Sequence, residues 1–129
     1  MTRQARIAGW LAAGLSLAWF LVHTFVGGAE VAGPLRASDL PVEVVAPAWM
    51  VWHMVTGLLL LMAVSFAVAT LQRDAGSMIL SSAMAAVFAL AGLAAVPLTG
   101  AGLGDLPQGL LFVPVAIAGL IAWSGSRAR

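Results

Sequence analysis

Trp19-Phe20-Leu21-Val22-His23-Thr24-Phe25-Val26-Gly27-Gly28 and Trp49-Met50-Val51-Trp52-His53-Met54-Val55-Thr56 are the two stretches that decide the fold. Each is an apolar run with one histidine inside it, and together they hold both histidines of the chain. The segment between them carries Glu30, Arg36, Asp39 and Glu43, so three of the five acids lie there. Two apolar arms joined by a polar segment make a hairpin, and the fold turns on what surrounds it.

Composition answers that it is lipid. The chain of 129 residues is 62% hydrophobic and 9% charged, whereas a soluble domain carries about 25% charged residues. Its mean hydropathy is +1.04, and its apolar runs exceed what a soluble core of this size can bury. The length allows one domain, residues 1–129. An integral membrane protein is expected, with the lipid bilayer as its first partner.

The absence of basic clusters argues against nucleic-acid binding. With no cysteine, disulfide exchange, iron–sulfur ligation and thiolate metal sites are excluded together. The run from Ile7 to Val26 is 20 residues, longer than the roughly 7–15 of a signal-peptide core, and reads as a first membrane span.

Working outward, the pattern predicts an all-α bundle of four transmembrane helices in up-down order, over about 5–27, 47–71, 77–98 and 107–123. Gly27-Gly28 is read as the left-handed cap that ends the first helix. Ser38-Asp39-Leu40-Pro41 reads as the start of a short interfacial helix, with Pro47 marking a bend into the second span. Gln72 to Gly76 is a tight turn, and Thr99 to Gly104 a glycine-rich exit loop. Ser81, Ala85 and Ala89 form a small-residue row suited to close helix contact. Pro114 is expected to kink the fourth helix.

Arg3, Arg6, Arg73, Arg127 and Arg129 fall at one set of helix ends and only Arg36 at the other. By the positive-inside rule both termini are expected in the cytoplasm. Asp39-Leu40-Pro41 and Asp105-Leu106-Pro107 hint at a repeat of two hairpins, although Asp-x-Pro starts helices well without any repeat. In that register Gly119 matches His53, so a site would belong to the first hairpin alone.

The candidate site is the histidine pair. With the expected helix ends, His23 lies roughly 6 Å and His53 roughly 9 Å below the outer surface, by helix rise. Helices joined in sequence pack as neighbours, which brings the imidazoles to one level. Trp19 and Trp49 each precede a histidine by four residues and share its helix face. Trp10, Trp52 and Trp123 are assigned to interfaces or lipid, and Arg36 is paired with Asp39.

Four functional readings and a structural one follow. His23 and His53 could ligate one haem b, using slots left by Gly27 and Gly57. His23, His53, Glu30 and Glu43 could bind a divalent metal, since mixed imidazole and carboxylate sets suit zinc, iron or manganese. A histidine–carboxylate pair could relay protons. A proton-coupled exporter fits the size, but no carboxylate lies deep in a span. Alternatively, each histidine satisfies a carbonyl or hydroxyl and fixes the hairpin.

His23-x-Phe25-x-Gly27-Gly28, Pro34-Leu35 and Trp52-His53-x-x-Thr56 resemble small four-helix membrane proteins of bacterial genomes with no assigned activity. The resemblance covers the first hairpin. It implies a bacterial inner-membrane location and supplies no chemistry. The expectation is therefore a non-enzymatic accessory or binding subunit, with a membrane protein partner or as a homo-oligomer. Haem b or divalent-metal binding is the alternative.

Overall fold

The computed structural model describes residues 1–127; Arg129, which entered the orientation argument, lies outside them. Four helices, each long and apolar enough to cross a membrane, make up the described chain: α1 (Arg3–Arg36), α2 (Val42–Gln72), α3 (Ala75–Thr99) and α4 (Gln108–Arg127). They are antiparallel in sequence order. α1 packs on α2 and α4, and α3 packs on α4 and α2, which closes a ring of four.

The helices differ in length. At 1.5 Å per residue α1 and α2 measure about 50 and 46 Å, α3 and α4 about 37 and 30 Å. All four are aligned at the arginine end, where the Thr2 N–H donates to the Gly125 carbonyl at 3.2 Å. The first hairpin therefore overshoots the second by about 10–20 Å at the other end.

Burial follows the same gradient. Ala5, Ala8, Ala12, Ala13 and Ser16 of α1 and Leu59, Met62, Phe66, Ala69 and Thr70 of α2 are buried. Above them, Ala32 is the one buried residue of α1, and α2 has none before Leu59. Small residues set the contacts. A Cβ on Gly92 of α3 would stand 2.6 Å from the Gly109 Cα of α4, so the two backbones touch. Gly119 of α4 gives its space to the fully buried Phe66 ring and to Ser82. The expected row of Ser81, Ala85 and Ala89 is buried, and the Ser81 and Ser65 hydroxyls bond across α3 and α2 at 2.6 Å.

Two helix boundaries differ from the sequence reading. Gly27-Gly28 does not end α1; both lie in a π-helical segment, Val22–Ala32, which leads without a break to Arg36. The Gly33 N–H reaches back five residues to the Gly28 carbonyl, the π-helical pattern. α2 begins at Val42 with no side-chain cap. Pro41 forces Leu40 out of the helical region, and the Ser38 hydroxyl turns back to the Leu35 carbonyl at 2.8 Å. α2, α3 and α4 each carry an interior proline, Pro47, Pro97 and Pro114, without interruption. The suggested repeat is local: Pro41 and Pro107 carbonyls accept the same two first-turn N–H groups, while Asp105 closes the exit loop through Gly102 N–H at 2.9 Å.

The turn between α2 and α3 is tight, as expected. Arg73 ends α2 in the left-handed region, φ 56°, the one described non-glycine residue with positive φ. Asp74 caps α3 by accepting from the N–H groups of Gly76 and Ser77.

Two expectations follow. Gly92→Leu and Gly109→Leu each wedge α3 from α4 and lower the thermal midpoint in detergent, at an overpacking cost of about 1–3 kcal/mol. Gly14→Leu leaves it unchanged, because nothing lies within 4 Å of that position. The second expectation concerns pH. The Ser77 hydroxyl, then the Ser77 and Gly76 N–H groups, hold the exposed Asp74 carboxyl below its ordinary 3.8. A carboxylate with a lowered folded pKa stabilises above the unfolded value and loses that effect as pH falls through the folded one. Melting scans at pH 6, 4 and 3 should show wild type losing stability at the acid end, with the gap to Asp74→Ala closing.

Candidate functional site

Both histidines sit on the first hairpin at one height, deeper than expected because the helices run on above them. His23 is about 20 Å below the end of α1 and His53 about 16 Å below the start of α2. His23 opens the π segment, and its half-buried ring lies flat on the Trp52 indole of α2, with centroids 4.0 Å apart and planes at 17°. Its Nε2 lies 3.3 Å from the Trp52 carbonyl, which also accepts the Thr56 hydroxyl at 3.0 Å. A carbonyl only accepts, so Nε2 carries the proton and Nδ1 is the free acceptor.

Trp52 is the residue that sequence reasoning misplaced. It was assigned to lipid or interface, but its indole is wedged between the His23 ring and the bare backbone of Gly27, where a Cβ would lie 2.9 Å from the ring. The spacing rule used for the histidines finds partners on the same helix only. It succeeds for His53, which meets Trp49 edge-on at 4.7 Å. It fails for His23, whose aromatic partner comes from the facing helix. Trp19 instead packs against the core, and its indole N–H is the one buried side-chain polar atom without a partner among the described residues. Arg36 lies over the Trp49 ring at 5.5 Å rather than pairing with Asp39.

The four predicted site residues are only partly united. His53 follows Trp52 directly, so its side chain leaves α2 about 100° around from the one His23 touches. It is exposed. Glu30 is exposed within the π segment and Glu43 is exposed in the first turn of α2. Among the described residues no three histidine, aspartate or glutamate side chains come together as a metal-holding group. The Gly27 slot reserved for a haem is filled by Trp52, and the Gly57 side is open.

Compared with protein-family models, curated proteins and solved structures, the chain matches none. The chemistry of the site therefore has to be argued from its own residues. A stacked, hydrogen-bonded imidazole facing a tryptophan across two helices is a clamp. It fixes the spacing and register of α1 and α2 about 30 Å from the arginine end, past Ser16 and Leu59, where the run of buried side chains on the two helices stops.

The clamp makes a definite demand on Gly27. Gly27→Ala should displace the indole, altering the near-ultraviolet circular dichroism and lowering the melting temperature. Gly28→Ala, where nothing lies within 4 Å, should leave both as they are.

Proposed function

We propose that the protein is a small integral protein of a bacterial inner membrane, both termini cytoplasmic, that serves as a non-enzymatic accessory or binding subunit. The observation that carries this reading is the overshoot of the first hairpin. Its outer half has almost no buried side chain, and Phe25, Met50 and Met54 stand 70%, 56% and 55% exposed. The clamp of His23 and Trp52 holds the two arms together at the base of that projection. Such a paired projection offers apolar helix faces to a neighbouring membrane helix, of another protein or of a second copy, with Glu30, Arg36 and Glu43 on its rim. Arg3, Arg6 and Arg73 at the opposite end support the cytoplasmic assignment of that end.

Haem b or a divalent metal on His23 and His53, with Glu30 and Glu43, is the competing reading. It requires His23 to present Nδ1, or to release the Trp52 carbonyl, and Trp52 to vacate the Gly27 face. No arrangement of the four residues favours it.

Purification in mild detergent separates the two. The accessory reading expects a colourless protein without stoichiometric metal, running above monomer mass, whose association survives His23→Ala and His53→Ala. A Soret band or an equivalent of metal that both substitutions remove would establish the other. Reporter fusions after Arg73 and after Asp105 test the topology, with the first expected cytoplasmic and the second outside.

A further inference from the structure

Arg3, Arg6 and Arg73 are not used by the first hairpin's outer half, and they converge at the opposite end of the bundle. Two adjoining cavities open there. One, of about 310 Å³, lies between the start of α1 and the end of α2 and is bounded by Arg6, Trp10, Leu71 and Arg73. The other, of about 340 Å³, is bounded by Arg3 together with the same Arg6 and Arg73. Neither lining contains a carboxylate. Asp74, the nearest acid in sequence, is committed to the cap of α3 through Gly76 and Ser77. Arg127 lies over Trp123 at 4.9 Å.

Three guanidinium groups around a shared space with no counter-charge among the described residues call for an anion, and their planar forks suit phosphate oxygens. The other walls say which kind. Ile7, Trp10 and Leu71 are 58%, 45% and 68% exposed along the flank of α1 and α2. They continue the basic space as an apolar lane, with an interfacial tryptophan at the junction. An inorganic phosphate would have no use for that lane, whereas an acyl chain would lie along it. Arg73 adds a separate indication. It holds a left-handed backbone, φ 56°, that glycine or asparagine adopts at less cost, and it lines both cavities.

We propose that this end is a binding site for an anionic phospholipid, with Arg6 and Arg73 holding a phosphodiester, Arg3 contributing beside them, and a chain lying against Trp10 and Leu71. Two cavities that share two arginines suit a headgroup with two phosphodiesters, so cardiolipin is expected to bind more tightly than phosphatidylglycerol. The proposal rests on the membrane reading above but not on the accessory role.

The test starts with fractionation: recovery of the full chain outside the membrane fraction would overturn both the membrane reading and this site. Delipidated protein in nonionic detergent is then titrated with cardiolipin, phosphatidylglycerol and phosphatidylcholine and followed by native mass spectrometry. Cardiolipin is expected to bind about tenfold or more tighter than phosphatidylcholine, and added salt should erode that preference. The Arg6→Gln, Arg73→Gln double variant should lose the preference, and Arg36→Gln at the far end should keep it. Arg73→Gly guards against misfolding as an explanation, because it should raise the lipid-free melting temperature while weakening cardiolipin binding. Equal binding of all three lipids, or a preference untouched by the double variant or by salt, would overturn the site. Displacement of cardiolipin by millimolar inorganic phosphate or pyrophosphate would reassign it to a soluble phosphate compound. In each of these cases the membrane reading would stand.

Discussion

Backbone contact between α3 and α4 at Gly92 and Gly109 is the constraint on which the rest of the bundle depends. In the lipid setting proposed here, moving an apolar side chain from the outside of a helix to its inside gains little, since both surroundings are oily. Helices then associate through dispersion contacts, which are short-ranged and individually small. Only close approach accumulates enough of them. Gly92 and Gly109 permit it at one end of the second hairpin, Gly119 with Phe66 and Ser82 in the middle, and Gly125 against Ala5 at the arginine end. The buried hydroxyls fit the same scheme. Those of Ser16, Thr70 and Ser82 each donate to the carbonyl four residues earlier in their own helix. None depends on water.

A bundle held this way has an abrupt upper boundary. The close-packed part ends where α3 and α4 end, and α1 and α2 continue alone. Near that boundary the first hairpin is held by a different device. The π segment supplies a widened turn, Gly27 a bare patch of backbone, and Trp52 a flat ring between that patch and the His23 imidazole. On a neighbouring face of α2 Trp49 meets His53 edge-on, and Arg36 of α1 lies over the Trp49 ring. This accounts for the placing of His23 inside an apolar run.

What the sequence made legible depended on the range of the interaction. Four helices long and apolar enough to cross a membrane follow from composition along each segment, which needs no knowledge of partners. The Ser81, Ala85 and Ala89 face and the Trp49–His53 contact follow from the period of a single helix. The Gly92–Gly109 contact and the placing of Trp52 depend on the register between two helices, which no single-helix pattern encodes. Gly27-Gly28 was misread for the same reason. Paired glycines ordinarily end a helix because they are free to turn left-handed, and only the indole arriving from α2 gives Gly27 a different use. Arg36 was matched to its neighbour in sequence, Asp39, when the ring it lies over is thirteen positions away in the chain.

The two ends of the molecule thus solve opposite problems. At the arginine end the helices are aligned and packed by glycine, and Arg3, Arg6 and Arg73 line open space whose described walls hold no carboxylate. At the far end α1 and α2 are pinned to each other but to nothing else, and what is left over is apolar surface with acids on its rim. Unbalanced charge at one end and uncovered helix faces at the other are different kinds of incompleteness. A phosphate-bearing lipid would answer the first and leave the second untouched. A neighbouring helix would answer the second without neutralising Arg6 or Arg73. The two proposals are physically independent for that reason, and a single ligand at either end could not account for the whole fold.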